Sequence, residues 1–207
     1  MDPRWRQLHD LAMRQQGHVA TRHVEAVGLT RPALHYQVRA GLLESVSRGV
    51  YRFTTFPPGE REREAAVLLW AGADQGVAAA FSHETALQRY ELTDAFAEKL
   101  HLTVPRAFRK RAPGDVVLHR AVLGPDDERR EGLLAYTTPA RTFLDLLAAG
   151  FPMEPLRDAY RVAVDRGLLR RSALQRDGAT VRGYVDGSPA GGRADLIDRL
   201  GQLLEGA

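Results

Sequence analysis

The stretch Gly28 to Phe53, GLTRPALHYQVRAGLLESVSRGVYRF, constrains the fold more than any other part of the chain. It carries a helix start, a helix stop and a hairpin in one short run. Gly28 interrupts what comes before it. Thr30 is a good helix N-cap, because its hydroxyl accepts one of the unpaired backbone N–H groups of the first turn. Pro32 stands just inside that start, where a missing N–H costs little. Leu34 and Val38 are four apart and share a face, which Leu42 continues. Gly41 is placed to end the helix in a left-handed conformation. The rest of the wheel carries Arg31, His35, Tyr36 and Arg39. Aliphatics on one face and arginine, tyrosine and histidine on the other suit a helix that docks on a core and meets something anionic. Beyond it, Leu42, Val46, Val50, Tyr51 and Phe53 predict two short strands around a turn at Ser47, Arg48 and Gly49.

The residues before Gly28 complete the pattern. Residues 3 to 16 read as a helix with Trp5, Leu8, Leu11 and Ala12 inward, stopped by Gly17. Val19 enters a small sheet or packs beneath it. Thr21 is placed to cap a second helix that runs to about Val27. Two short helices joined by a tight glycine turn and followed by a hairpin form a winged helix-turn-helix, whose usual ligand is duplex DNA. Charge agrees: residues 1–53 hold eight arginines against four acids, an excess larger than the +3 of all 207 residues. Thr54 to Gly59, TTFPPG, reads as a linker. The expected organisation is therefore α+β: a winged helix-turn-helix over 1–56, then a mixed α/β C-terminal domain over 60–207 with a small sheet and several helices.

In that second domain Glu60 to Trp70 predicts a helix, and Ser82 is placed to cap another. Leu100, Leu102 and Val104 alternate with His101 and Thr103 as a half-buried strand ended by Pro105. Val116 to Val122 and Gly132 to Tyr136 predict two more strands. Thr137-Thr138-Pro139 is a strong helix start, opening a helix from Ala140 to Ala149. Further helices are expected at 154–166 and 171–177. Ser188 to Gly192 reads as a hinge before a last amphipathic helix with Leu196, Ile197, Leu200, Leu203 and Leu204 inward.

The absence of cysteine excludes disulfides and thiolate metal sites. No apolar run approaches the ~18 residues of a membrane span. The N-terminal MDPRWRQLHD has no signal-peptide core, so the expectation is a cytoplasmic protein without a membrane partner. Phosphate loops, nucleophile elbows and thiol nucleophiles are missing, and Glu98-Lys99 is not a nuclease arrangement. His83-Glu84 lacks a second histidine at ligand spacing, and His101 and His119 read as polar-face residues of strands. No enzyme, metal or cofactor is expected.

Helix N-terminal residues usually make the base contacts, so Thr30, Arg31 and His35 are the expected base readers, with Tyr36 and Arg39 beside them. Arg48 at the hairpin tip is an expected phosphate or minor-groove contact, and Arg22, at the start of the second helix, a phosphate contact. Trp5, Tyr51 and Phe53 are read as core. Thr138, Arg141 and Asp145 fall on one helical face. They read as a cap with an intrahelical Arg–Asp pair, or as a polar surface that serves the activity of the C-terminal domain.

The chain resembles the AbiEi-type antitoxins of bacterial type IV toxin–antitoxin, or abortive-infection, systems. The carriers are the spacing from Gly17-His18-Val19 to Gly28-Leu29-Thr30, then Arg39-Ala40-Gly41-Leu42-Leu43 and Ser47-Arg48-Gly49-Val50-Tyr51. Further along they are Phe81-Ser82-His83-Glu84-Thr85-Ala86-Leu87, His101-Leu102-Thr103-Val104-Pro105 and Thr137 to Asp145. The resemblance implies an N-terminal winged helix that represses the protein's own operon. It also implies a C-terminal domain that opposes a nucleotidyltransferase toxin encoded alongside. The expected mode of DNA binding is two copies on an inverted-repeat operator, each with its third helix in a major groove. Two alternatives stay open. One is a module that neutralises a toxin by direct contact with little DNA binding. The other is an enzyme acting on nucleic acid.

Overall fold

The computed structural model describes residues 2–95, 97–174 and 192–205. It is mixed α/β with two small sheets, and it divides into one unit of Met1–Val77 with Arg130–Leu134 and another of Ala78–Arg129 with Ala135–Ala207. Among the described residues no helix is long and apolar enough to cross a membrane.

The first unit opens with α1 (Pro3–Met13). Asp2 caps it by accepting the Arg4 N–H at 2.9 Å, and Trp5, Leu8 and Ala12 are buried at helical spacing. The helix ends three residues sooner than its sequence pattern predicts, because the chain turns left-handed at Gln16 and Gly17. A Cβ at Gly17 would come within 2.7 Å of Phe56, so the bend depends on glycine. Strand β1 (His18–Ala20) follows, then α2 (Thr21–Ala26). Thr21 is not the cap of α2. Ala20 holds that position, with its N–H donated to the His23 ring at 3.1 Å, while the Thr21 hydroxyl donates to the Gly49 carbonyl.

Helix α3 (Arg31–Arg39) starts as its sequence predicts, with the Thr30 hydroxyl accepting the Ala33 N–H at 3.3 Å. Strands β2 (Leu43–Ser47) and β3 (Val50–Phe53) form the hairpin. Its turn uses Gly49 at a φ of +76°, a conformation that suits glycine best. The sheet is antiparallel in the order β1-β3-β2. Leu42 does not continue the apolar face of α3. The strand begins one residue later, so Leu43 is buried and Leu42 is exposed. Trp5, Leu8, Val19, Val24, Leu29, Leu34, Leu43 and Phe53 make one core.

Helix α4 (Glu62–Ala71) belongs to this unit, beyond the proline-rich segment where the sequence suggests a boundary. It is buried from Ala65 to Leu69, too apolar all round to stand alone. Its Glu62 ion-pairs with Arg52 at 2.5 Å and lies 3.8 Å from His18.

The chain continues with β4 (Ala80–Phe81), α5 (His83–Arg89), β5 (Leu100–Val104), β6 (Val116–Arg120), β7 (Glu128–Glu131) and β8 (Leu134–Thr137), which fall in the second unit except for Arg130–Leu134 at the β7–β8 turn. The sheet order is β6-β5-β4-β8-β7, with β4 antiparallel to β5 and parallel to β8, and β5 parallel to β6. Five strands stand where the sequence predicts three. Strand β4 is too short to show a period, and β7 is the all-charged edge Glu128-Arg129-Arg130-Glu131, which no apolar alternation reveals.

Helices α6 (Pro139–Ala148), α7 (Met153–Asp165) and α8 (Gly192–Glu205) supply the core with Phe143, Leu144, Leu147, Leu156, Tyr160, Leu196 and Leu203. Ile197 of α8, expected inward, faces outward at 53% exposure. Residues 171–174 are helical, while 175–177 and the Ser188–Gly191 part of the expected hinge lie outside the described residues.

Candidate nucleic-acid interface

Every expected DNA-contacting side chain lies in the first unit, and α3 carries most of them. Leu34 points into the core, and Val38 is half-buried. That orientation turns Arg31, His35, Tyr36 and Arg39 outward, where all four are exposed. Thr30 is exposed beside them, though its hydroxyl also caps the helix. Tyr36 shows 63% of its surface, an unusual exposure for a large ring that nothing in the unit requires. Arg31 donates to Glu25 at 2.9 Å, but its side chain remains 70% exposed. Such a surface pair is weak and yields to a better-placed anion. Arg48 is exposed at the tip of the β2–β3 hairpin, held there by the turn at Gly49.

Two arginines of the N-terminal excess are used internally. Arg22 donates to the Leu69 carbonyl at 3.0 Å and to both carboxylate oxygens of Asp74, one of them at 3.1 Å. Its guanidinium is committed to the far end of α4, so the expected phosphate contact at Arg22 is displaced by an ion pair. Arg52 is buried and joins Glu44, Glu62 and the Phe56 carbonyl. Of the arginines expected to contact DNA, Arg31, Arg39 and Arg48 remain outward.

The same contacts shift two titrations. Burial pushes the Asp74 carboxyl up, but hydrogen bonds from His23 and Arg22 and their charges outweigh that push and hold it below its usual value. Burial depresses His18, against the Gln15 carbonyl and the Glu62 carboxylate, which favour its charged form.

Thr138, Arg141 and Asp145 do not form a polar surface. Arg141 and Asp145 are buried, with Arg141 donating to Asp145 at 2.9 Å, to Asp127 at 2.9 Å and to the Val122 carbonyl at 3.0 Å. Thr138 caps α6, with Pro139 at its first position. The alternative reading, a cap plus an intrahelical pair, fits these contacts. Burial pushes the Asp145 carboxyl up to about 6, with Arg141 pulling the other way.

The structure also brings together three residues that the sequence treats separately: His83, His101 and His119. They stand on different elements, so no local spacing reports them.

Residues 6–54 match the family model described as transcriptional regulator, AbiEi antitoxin, which covers α1 to the end of the hairpin. The fold is similar to the crystal structure of RV2827C protein from Mycobacterium tuberculosis. The TM-score is 0.59 and the identity 18%, over 95% of this chain and 74% of that one. No curated protein matches the chain.

Proposed function

We propose that this chain is a DNA-binding antitoxin of the AbiEi type that represses its own toxin–antitoxin operon. In this reading the first unit is a winged helix-turn-helix, α3 enters the major groove, and the β2–β3 hairpin is the wing. Thr30, Arg31 and His35 read base edges, Arg31 as a bidentate donor to guanine. Tyr36, Arg39 and Arg48 contact the sugar–phosphate backbone. Two copies bind an inverted repeat, one recognition helix per half-site. The remainder of the chain opposes a nucleotidyltransferase toxin encoded alongside.

The observation that carries the reading is the outward face of α3. A helix whose inner side is fixed by Leu34 presents two arginines, a histidine and a largely bare tyrosine to solvent. A matching family of transcriptional regulators supports it over this segment.

The test is a titration of purified full-length protein against DNA from upstream of its own coding sequence, with a shuffled duplex as control. Arg31→Ala should weaken operator binding by about 1–3 kcal/mol and relax sequence preference. Arg48→Ala should weaken both duplexes alike and reduce the salt slope by about two, one for each bound copy. Wild-type protein that binds operator and shuffled duplex equally, or variants that bind as wild type does, would refute it.

A further inference from the structure

Three imidazoles converge in the second unit. His83 is the first residue of α5, His101 lies on β5 and His119 on β6. The register pairs His101 with Val117, two residues before His119, so the two strand histidines share a face of the sheet. His83 meets that face from α5. One nitrogen from each ring lies within 4.8 Å of the other two. His101 Nδ1 is 3.1 Å from His119 Nε2, and the His83 and His119 rings stack with centroids 3.6 Å apart.

Nitrogens bound tetrahedrally at about 2.0–2.1 Å stand about 3.3 Å from one another. His101 and His119 already have that spacing, at 3.1 Å, and the His83 ring must turn out of its stack on His119 to bring its nitrogen onto the same ion. The surroundings are arranged for it. Ser82 Oγ lies 2.9 Å from His83 Nδ1 and itself accepts from Thr103 Oγ1 at 2.8 Å. A hydroxyl chain that engages Nδ1 leaves Nε2 of His83 as the ligand atom, the usual outer support of a metal-bound histidine. The Glu84 carboxylate lies 3.0 Å from His101 Nδ1, which places negative charge and one oxygen donor, a candidate fourth ligand, beside the three nitrogens. Glu84, His101 and His119 are only half-buried, while His83 is 5% exposed. The partial exposure of Glu84, His101 and His119 leaves the cluster accessible to solvent.

The backbone supplies an independent sign. His83 has a φ of +52°, a region that side-chain-bearing residues rarely adopt and that tends to be retained where function requires it. The strain sits at the residue that delivers its ring from the helix start into the cluster.

We propose that the second unit binds one divalent transition-metal ion of the zinc class through His83, His101 and His119, with Glu84 at the open position. Imidazole nitrogen with a single carboxylate suits zinc and its neighbours rather than magnesium or calcium. The bound ion ties α5 to β5 and β6. The proposal is independent of how the first unit meets DNA.

The experiment uses untagged full-length protein, dialysed against a chelator and titrated with zinc chloride in competition with a chromophoric chelator. Cobalt substitution is followed by visible absorption. One equivalent of zinc should bind, and the thermal midpoint should rise with it. Cobalt should give the strong visible bands of a four-coordinate site. His101→Gln and His119→Gln should lose stoichiometric binding while keeping wild-type circular dichroism, and His9→Gln in the first unit should bind as wild type does. Ser82→Ala should weaken binding about 10–100-fold. Should the histidine variants fail to fold, the wild-type cobalt spectrum decides alone, and weak six-coordinate bands overturn the assignment. Zinc uptake equal in wild type and in the folded His101→Gln/His119→Gln double variant overturns it as well.

Discussion

Arg52 sits in the middle of the first unit's sheet, buried between Glu44, Glu62 and the Phe56 carbonyl. Its side chain is buried, so removing it strands the half-buried Glu62 carboxylate without its cation. Arg52→Ala should destabilise the protein by about 3 kcal/mol, read as a lower urea midpoint. A loss below ~1 kcal/mol would mean that solvent replaces the pair. Asp74 gives a pH signature of its own. Its folded pKa lies below the ordinary carboxylate value, so folding favours the ionised form. The resulting stability is complete above about pH 4 and is lost as pH falls through the folded value. The stability gap between wild type and Asp74→Asn should therefore shrink on acidification through that range. A gap that does not change with pH would contradict the depression. His18, lowered mainly by burial, acts earlier: below about pH 6.5 the unfolded chain takes a proton that the folded one resists, so stability falls as pH drops from there.

At the scale of elements, legibility follows locality. Helix α3 was readable because Thr30, Pro32, Leu34, Val38 and Gly41 encode its start, face and stop within one run, and β3 because apolar residues crowd beyond the Arg48-Gly49 turn. What decided the rest is non-local. Nothing near Arg22 announces Asp74, which arrives from beyond α4. The three histidines meet only because β5 and β6 pair in parallel register beneath the start of α5. Strand β4 is defined by its neighbours and not by its own two residues. Helix α6 combines both kinds of information. Thr138 and Pro139 predict its start, but only packing reveals that Arg141 fastens it to Val122 and Asp127 as well as to Asp145. Arg141→Ala leaves the Asp145 carboxylate buried without its cation, and it should destabilise the protein by about 3–5 kcal/mol. Asp145→Asn, which keeps a carbonyl acceptor for the guanidinium, should cost less. Equal unfolding midpoints for Arg141→Ala and wild type would show that α6 is held by its apolar face alone.

For the whole molecule, the sharpest consequence of the proposed reading is the salt dependence of DNA binding. Formal net charge is a poor guide, since Arg22 and Arg52 neutralise acids inside the fold. The relevant number is how many cations reach phosphate. With Arg31 reading a base, Arg39 and Arg48 remain for the backbone in each copy, giving about four phosphate contacts for a pair on an inverted repeat. Counterion release then sets the slope of log affinity against log salt at roughly −4. Between 50 and 200 mM salt that slope weakens binding by about two orders of magnitude. A count based on all eight arginines of residues 1–53 would instead demand a slope several-fold steeper. Measured isotherms at four salt concentrations separate the two. A slope shallower than about −1 would leave too few phosphate contacts for two seated wings. The difference between Arg48→Ala and wild type, close to two for a pair of copies and close to one for a single copy, reports how many chains occupy the site.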